Sequence, residues 1–183
     1  LGGGEQVSKV RVGVPPYVED GFTAPGRAIE RIAVAPDDTL WVCDYSGAEI
    51  VRFDMDGNQL AAHPVTYDST LGVGIAPDTT HPWGYVVWYT SYNYPSATAE
   101  IVRLDPLTGI EQRRTLFGAR LASFGIAPDG SVWVPVEVGG SGSTDRLDHY
   151  DTGVNLVGSS STAGWTGTFM TDAVVAPNGH VFC

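Results

Sequence analysis

The sequence is poor in basic residues, and lysine is almost absent. Lys9 is the one lysine; lysine and arginine together number 10 against 21 acids, which gives a formal net charge of −11. Nucleic acids and anionic membranes are bound by basic side chains that neutralise phosphates. The sequence therefore predicts no nucleic-acid partner. Arginine in place of lysine in an acidic chain is typical of secreted or salt-tolerant proteins, so we expect an extracellular or periplasmic location, although a GC-rich genome gives the same composition.

Long hydrophobic runs are also missing. No apolar segment approaches the ~20 residues that a membrane-spanning helix needs, and we expect no membrane insertion. Charged residues make up 17% of the 183 residues and hydrophobic residues 43%. Such a composition is typical of a folded globular domain.

Cysteine is scarce, and the common catalytic motifs do not occur. Cys43 and Cys183 follow Pro36 and Pro177 by seven and six residues, so on strands they would point to opposite faces. The sequence therefore predicts no disulfide between them. It contains no Cys-x-x-Cys pair, no G-x-S-x-G, no H-E-x-x-H and no phosphate-binding glycine loop.

An internal repeat is present, built around an Ala-Pro-Asp turn. Its clearest copy runs from Ile32 to Val42, and further copies lie at 74–88, 124–134 and 173–182. The repeat prolines at 36, 77, 128 and 177 are spaced 41, 51 and 49 residues apart. A period of roughly 40–50 residues made of short strands is the signature of a β-propeller.

The repeat predicts an all-β propeller of four-stranded antiparallel blades, three complete and a fourth half present. We expect the blades at about 29–70, 71–120, 121–170 and 171–183, preceded by an N-terminal strand and loop at 1–28. Within that segment, Val7–Val14 alternates between apolar and polar residues, as in a half-buried strand. Tyr17–Arg27 is predicted to be a loop.

The sequence leaves open how the propeller ring closes. A propeller usually closes when an N-terminal strand completes the last blade, and Val7–Val14 is the candidate for that strand. One strand would still be missing, and the chain ends inside a predicted strand. We expect a part of a larger propeller of about six to eight blades. A closed four-bladed ring with a short last blade and half-propellers that pair in a homo-oligomer are the alternatives.

Large aromatic rings recur at one position of the repeat. Trp41, Trp133 and Phe182 each follow the repeat proline by five residues, and Trp88 reaches that position after a six-residue insertion. A ring between two packed blades contributes about 1.5–3 kcal/mol or more. A sugar-stacking platform is the alternative, but the presence of the ring in every copy favours packing between blades.

The segment from Ile32 to Asp54 resembles the repeat of NHL-type propellers and of the virginiamycin B lyase (streptogramin lyase) family, in which a Leu-Trp pair, here Leu40-Trp41, opens the second strand. The match is best at 29–60, looser at 72–116 and 123–157, and covers half a repeat at 173–183. This repeat forms the blades of lyases, lactonases, cell-surface proteins and binding modules alike. The resemblance therefore specifies the fold and leaves the function to the site.

The resemblance implies a ligand face at one mouth of the central channel. There the loops between second and third strands, at 45–48, 91–98 and 137–144, meet the loops that enter the inner strands. Tyrosine and asparagine in such loops are typical of binding surfaces. The predicted ligand-binding residues are Tyr45, Tyr92, Asn93, Tyr94 and Glu137, and the predicted channel-mouth residues are Arg31 and Asp172. Tolerated surface insertions and ordinary channel-lining charges are the alternative interpretation.

Streptogramin lyases are expected to use a histidine and a divalent metal near the channel mouth. The inner-strand entrances of this chain hold no histidine, and the histidines at 63, 81, 149 and 180 have no metal-ligand spacing. Asp54-Met55-Asp56-Gly57 begins like a calcium loop, but position twelve is Val65 where a glutamate is needed. We predict no catalytic residue, no metal ligand and no cofactor; a divalent metal is expected only if the chain belongs to an enzyme.

Together these features favour a non-catalytic, extracytoplasmic propeller that serves as a binding or structural module, with a protein or carbohydrate ligand. The alternative is a streptogramin-lyase-like or lactonase-like enzyme whose catalytic residues lie outside this chain. The sequence leaves open whether the protein is an enzyme.

Overall fold

The chain folds into a row of antiparallel sheets. The computed structural model describes residues 5–10, 19–24, 27–67, 69–121, 123–138, 146–161 and 172–182. Within them the chain forms seventeen strands and no helix, so none of the described segments is a helix able to cross a membrane. The strands are β1 (Glu5–Val10), β2 (Glu19–Ala24), β3 (Ile29–Val34), β4 (Leu40–Asp44), β5 (Glu49–Phe53), β6 (Gln59–Pro64), β7 (Ser69–Pro77), β8 (Tyr85–Asn93), β9 (Thr98–Leu104), β10 (Glu111–Phe117), β11 (Ala119–Leu121), β12 (Gly125–Ile126), β13 (Val132–Val138), β14 (Arg146–Tyr150), β15 (Leu156–Ser161), β16 (Val174–Val175) and β17 (Val181–Phe182).

Three of the sheets are complete blades in which consecutive strands pair antiparallel. Blade 1 is β3–β6 and blade 2 is β7–β10. Blade 3 is β11–β15, and its inner position is shared by β11 and β12, which both pair with β13. The two-stranded sheet β16–β17, called blade 4 below, repeats the inner half of a blade. The predicted all-β class and the four-stranded antiparallel blades are confirmed.

The inner strands carry small residues because neighbouring inner strands approach closely. A Cβ added to Gly74 in β7 would come within 2.6 Å of the Ile126 side chain. A Cβ on Gly125 in β12 would come within 2.7 Å of the carbonyl oxygen of Ala173. The carbonyl oxygen belongs to the backbone and cannot rotate away, so a larger residue at Gly125 would force blades 3 and 4 apart, whereas at Gly74 the end of the Ile126 side chain would have to move.

The repeated tryptophans occupy equivalent positions, as predicted. Trp41, Trp88 and Trp133 each lie in the second strand of a blade, opposite an inner-strand Ala33, Gly74 or Gly125. Trp41 and Trp88 are fully buried, one between blades 1 and 2 and the other between blades 2 and 3. The prediction that these two rings fill the gaps between blades is confirmed. Trp133 is partly buried, and Phe182 at the same position of blade 4 is 61% exposed.

A polar clasp ties each Pro-Asp turn to the third strand of its blade. In blade 2, Asp78 accepts hydrogen bonds from the Thr80 hydroxyl at 2.6 Å and from Arg103 Nη2 at 2.7 Å. Blade 1 repeats the arrangement, since Asp37 accepts from Arg52 Nη2 at 2.8 Å. In blades 1 and 2 the aspartate of the repeated Ala-Pro-Asp motif therefore links the turn to the third strand in the same way.

Blade 3 varies the clasp. His149 stands where the other two blades have arginine, and its ring stacks on Trp133 with centroids 4.3 Å apart and planes 2° from parallel. His149 Nε2 lies 2.9 Å from Ser131 Oγ, and that hydroxyl donates to Asp129 at 2.6 Å. The serine hydroxyl thus bridges the aspartate and the third strand, where blades 1 and 2 use a direct ion pair.

The N-terminal segment differs from both expectations for it. Residues 19–24, predicted to be a loop, form β2, and β1 pairs with β2 along their full length. Val7–Val14 therefore does not complete the last blade in the described structure, because β1 ends at Val10 and pairs elsewhere; residues 11–14 lie outside the described residues. The hairpin packs on blade 1, with the rings of Phe22 and Phe53 5.3 Å apart. Asp20-Gly21 breaks the apolar alternation that would have revealed β2.

Candidate functional site

Three of the predicted ligand-binding residues lie at one register position, at the same end of successive blades. They directly follow Asp44, Ser91 and Val136, which share one register of the second strands, opposite Glu49, Glu100 and Arg146 of the third strands. The residues at this position are Tyr45, Tyr92 and Glu137. The strand geometry therefore aligns them along one rim of the blades, on the side predicted to hold the ligand face.

The residues of blades 2 and 3 at this rim form an aromatic and basic cluster. The rings of Tyr92 and Tyr94 meet edge to face, with centroids 4.8 Å apart. The guanidinium carbon of Arg120, in β11 of the next blade, lies 5.9 Å from the Tyr92 ring centroid and 5.5 Å from that of Tyr94. Tyr92 is 7% exposed and Tyr94 54%. We call these three residues the tyrosine–arginine patch: a buried ring and a cation hold a second ring in solvent.

The turn that carries Tyr94 is fixed by its own hydrogen bonds. Asn93 Oδ1 accepts from the Ser96 backbone at 3.1 Å, and Ala97 takes a positive φ of 47°. Tyr92 and Asn93 belong to the end of β8, so the prediction that they lie in a loop is wrong for these two. Tyr92 packs into the core, and β8 therefore continues as a strand through Asn93. Only the turn at 94–97 projects beyond the sheet.

Tyr45 sits on a rigid turn of a different kind. Asp44, 1% exposed, accepts hydrogen bonds from the backbone of Ser46 and Gly47 and from Arg27 Nη1 at 2.6 Å. Burial acts to raise the pKa of Asp44, but these hydrogen bonds, the Ser46 hydroxyl first among them, hold that pKa below its ordinary value. Tyr45 itself is 43% exposed and has no neighbouring ring among the described residues. It shares the rim without joining the tyrosine–arginine patch.

The remaining predicted residues are more scattered. Glu137 was expected in a loop, but it lies in β13, 6% exposed, directly opposite Arg120 in the strand pairing. Arg31 lies in β3 opposite Cys43, and Asp172 is exposed beside blade 4, with its Oδ1 accepting from the Ala173 backbone. The structure brings Glu137 to the strand beside Arg120 and leaves Arg31 and Asp172 on separate blades. A channel-mouth role for these two remains a prediction.

Three of the four histidines contact scaffold residues through their side chains, and His180 is exposed. His63 stacks on Trp41 at 5.7 Å, and burial lowers its pKa. His81 Nε2 lies 3.3 Å from Asp105 in a neighbouring turn, and His149 is part of the clasp of blade 3. Within the described ranges no group of three or more histidine, cysteine, aspartate or glutamate side chains is arranged to hold a metal ion. Cys43 is buried, and burial raises the pKa of its thiol far above the usual range, which keeps it protonated and unreactive.

No protein-family model matches the chain, and no curated protein matches it. Its similarity to solved structures is extensive. Virginiamycin B lyase from Staphylococcus aureus aligns with a TM-score of 0.68 over 96% of this chain and 55% of that chain, at 12% identity. A gluconolactonase from Xanthomonas campestris, XC5397, aligns with a TM-score of 0.68 over 89% of this chain and 58% of that one, at 18% identity. The fold is a β-propeller.

A third similar structure is the Dos1 propeller, with a TM-score of 0.65 and 16% identity over 86% of this chain. The chain spans about half the length of these three structures, from 42% for the Dos1 propeller to 58% for the gluconolactonase. Identities this low support the fold alone. The predicted propeller fold is thus confirmed, and assignment to the NHL type or to the streptogramin lyases stays a prediction.

Sequence reasoning missed Arg120. Arg120 pairs with Glu137 across the inner and second strands of blade 3. A residue in that position lies beside the loop of the preceding blade, and this relation is the signal that could have found it. Without the register of β11, which pairs with β13 separately from β12, that relation was not visible. Arg120 adds a positive charge beside the rings of Tyr92 and Tyr94.

Proposed function

We propose that the protein is a non-catalytic, extracytoplasmic β-propeller module that binds a protein ligand through the tyrosine–arginine patch. The supporting observation is the exposure of Tyr94 at 54%, while Tyr92 and Arg120 hold its ring from below and from the side. Tyrosine and arginine are the residues most often found as energetic centres of protein interfaces. A ring that is already ordered loses little conformational entropy when a partner packs on it.

The test compares two exposed positions at opposite ends of blade 2. A photo-crosslinking amino acid replaces Tyr94 in one variant and Leu107, 53% exposed in the turn between β9 and β10, in the other. Irradiation on cells and in culture medium of the source organism should give a defined protein adduct from position 94 and none from position 107. Arg120→Gln in the first variant should abolish the adduct. Equal adducts from the two positions, or an adduct indifferent to Arg120, would contradict the proposal.

Two alternatives have outcomes of their own in the same design. Binding of a glycan panel that depends on Tyr94, without a protein adduct, would indicate a carbohydrate ligand. Turnover of gluconolactone or of virginiamycin B by the intact protein would indicate the enzymatic alternative, which rests on the lyase and lactonase folds among the similar structures.

The proposed module is part of a larger propeller or assembly. Apolar residues lie exposed on the outward faces at both ends of the row of blades. They are Ile32 at 46% and Val34 at 59% on blade 1, and Val174 at 62% and Phe182 at 61% on blade 4. Contiguous exposed apolar surface of this kind marks packing sites, and further blades or a second copy would cover it. The mass of the native protein distinguishes the two, because added blades lengthen the chain and a second copy doubles the particle.

A further inference from the structure

The third strands of the three blades can be compared position by position, and blade 3 departs from the other two. Val51 of β5 and Val102 of β9 are fully buried and lie at the same register. The residue at this register in β14 is Asp148, opposite Val134, and it is also fully buried. The fold therefore accepts valine at this position twice. A carboxylate there is not required by the architecture.

The neighbouring residues change together with Asp148. The position that holds Glu49 and Glu100 in the other blades holds Arg146 in blade 3, which reverses the charge. Two residues further along from Asp148 lies Tyr150, where blades 1 and 2 have Phe53 and Leu104. Alternate residues of one strand point to one face, so these three exchanges alter a single surface, the one that faces blade 2.

The exchanged side chains form a connected network. Arg146 Nε donates to both carboxylate oxygens of Asp148, at 2.8 and 3.1 Å. The Ser159 hydroxyl donates to Oδ1 at 2.5 Å, and the Tyr150 hydroxyl to Oδ2 at 3.2 Å. Burial and the adjacent Asp148 carboxylate both raise the pKa of Tyr150, which therefore stays a donor at physiological pH. The carboxylate is fully compensated, and it orients the arginine.

This network lines a cavity of about 230 Å³ between the outer strands of blades 2 and 3. The apolar residues of its lining are Leu116, Phe117, Val138 and Leu156. Phe117 is 82% exposed. A ligand that enters can therefore bury an apolar body against these residues.

The same cavity is lined by two guanidinium groups and one carboxylate, from Arg114 of β10 and from Arg146 and Asp148 of β14. Asp148 engages only Nε of Arg146, so the two terminal nitrogens of that fork have no partner among the described residues. The structure gives Arg114 no hydrogen bond or ion pair to a described residue. A local excess of positive charge in a chain of net charge −11 selects an anion. Planar forks of this kind match a carboxylate in a bidentate geometry.

We infer that the cavity between blades 2 and 3 is a binding site for a small carboxylate with an apolar body. The carboxylate pairs with Arg114 and the terminal nitrogens of Arg146, and the body packs against the apolar residues of the lining. The volume lies below the ~300 Å³ at which drug-sized pockets begin, which fits a short organic acid or the C-terminal residue of a peptide. The site shares no residue with the tyrosine–arginine patch, although Ala119 of its lining directly precedes Arg120 in β11.

Calorimetric titration of the intact protein with hexanoate tests the inference, with hexan-1-ol and hexylammonium as neutral and cationic probes of equal length. We expect saturable binding of hexanoate and none of hexylammonium. Arg114→Gln should weaken hexanoate binding about tenfold or more, the value of a charge-assisted hydrogen bond. Arg113→Gln is the matched control: it removes the same charge one residue away, on the face where Arg113 pairs with Glu100 and Glu111, and should leave binding unchanged.

Equal affinities for hexanoate and hexan-1-ol would overturn the inference. Equal losses of hexanoate affinity in Arg114→Gln and Arg113→Gln would overturn it as well. A second titration compares a dipeptide of leucine with a free C-terminus and the same dipeptide amidated. Tighter binding of the free acid than of hexanoate assigns the site to a chain terminus, and weaker binding assigns it to a free organic acid. Failure of both acids to bind would overturn the inference, since the two share the recognised group.

Discussion

The two interfaces between complete blades solve one packing problem with different chemistry. Facing blade 1, the third strand of blade 2 buries Val102 in its middle and holds Glu100 at its end. Glu100 is balanced from the next strand, by Arg113 at 3.4 Å and the Thr115 hydroxyl at 3.1 Å. Facing blade 2, the third strand of blade 3 buries Asp148 in its middle instead. The middle position thus carries a charge in place of an apolar side chain, and the end position carries Arg146 in place of a glutamate.

The comparison separates what the fold needs from what a site needs. Removing a carboxylate from water costs several kcal/mol before its partners compensate. The other blades avoid that cost with valine at the same register. A repeat protein thus contains its own reference sequences, and a buried departure from the repeat is a stronger sign of function than an exposed residue that varies.

The largest effect we expect comes from the rings that fill the interfaces. Trp88→Ala should lower the free energy of unfolding by about 3–5 kcal/mol, because it empties a fully buried position between blades 2 and 3. Trp133→Ala, at the same register next to the incomplete blade 4, should cost about 1–2 kcal/mol, since its ring is partly exposed. Urea denaturation measures both. Equal losses would show that blade 4 is covered in the native protein as fully as the other interfaces.

The buried carboxylate gives the next largest effect. Arg146→Met should lower the free energy of unfolding by about 3 kcal/mol, because it leaves Asp148 buried without its cation. Adding Asp148→Val, the residue of the other two blades, should restore the stability or raise it above the wild type. The same urea titrations report both variants. If the double variant remains as unstable as the single one, the network is needed for folding and the contrast between the blades is structural.

Much of the fold could be predicted from the sequence because its signals are local. The turn at Pro36 and Asp37, the small inner strand and the tryptophan at fixed spacing each follow from the conformations and sizes of a few residues. The strand β2 could not be predicted, since Gly21 interrupts its alternation and its partner strand is the reason it forms. Pairing with a distant segment is information that a local pattern does not carry.

Less of the candidate site than of the fold could be predicted from the sequence. Tyr92 and Tyr94 could be named from composition, but their support by Arg120 depends on how two blades meet. Asp148 was passed over because a lone aspartate between a leucine and a histidine looks like a solvated position. Its burial becomes visible only when β14 is placed in register with β5 and β9. The aligned repeats contained that signal, and comparing the burial of each position would have found it.

The smallest predicted effect compares the clasps of blades 2 and 3. In both turns a hydroxyl, from Thr80 or Ser131, donates to the aspartate and lowers its pKa below the ordinary value. A carboxylate whose pKa is lower in the folded state contributes stability above its unfolded pKa of about 3.9, and that contribution is lost as the pH falls through the folded pKa. Asp78→Asn and Asp129→Asn should therefore destabilise at pH 7 and have little effect near pH 2.

At pH 7 we expect Asp78→Asn in blade 2 to lose more stability than Asp129→Asn in blade 3. Asp78 pairs directly with Arg103 at 2.7 Å, whereas Asp129 reaches His149 only through a serine hydroxyl. After solvent screening we expect about 1 kcal/mol for Asp78→Asn and about half of that for Asp129→Asn. Melting temperatures of the wild type and both variants, measured from pH 7 down to pH 2, give the two differences as curves. A difference that persists at pH 2 would mean that the lost hydrogen bonds of the turn, and not the charge, hold the blade.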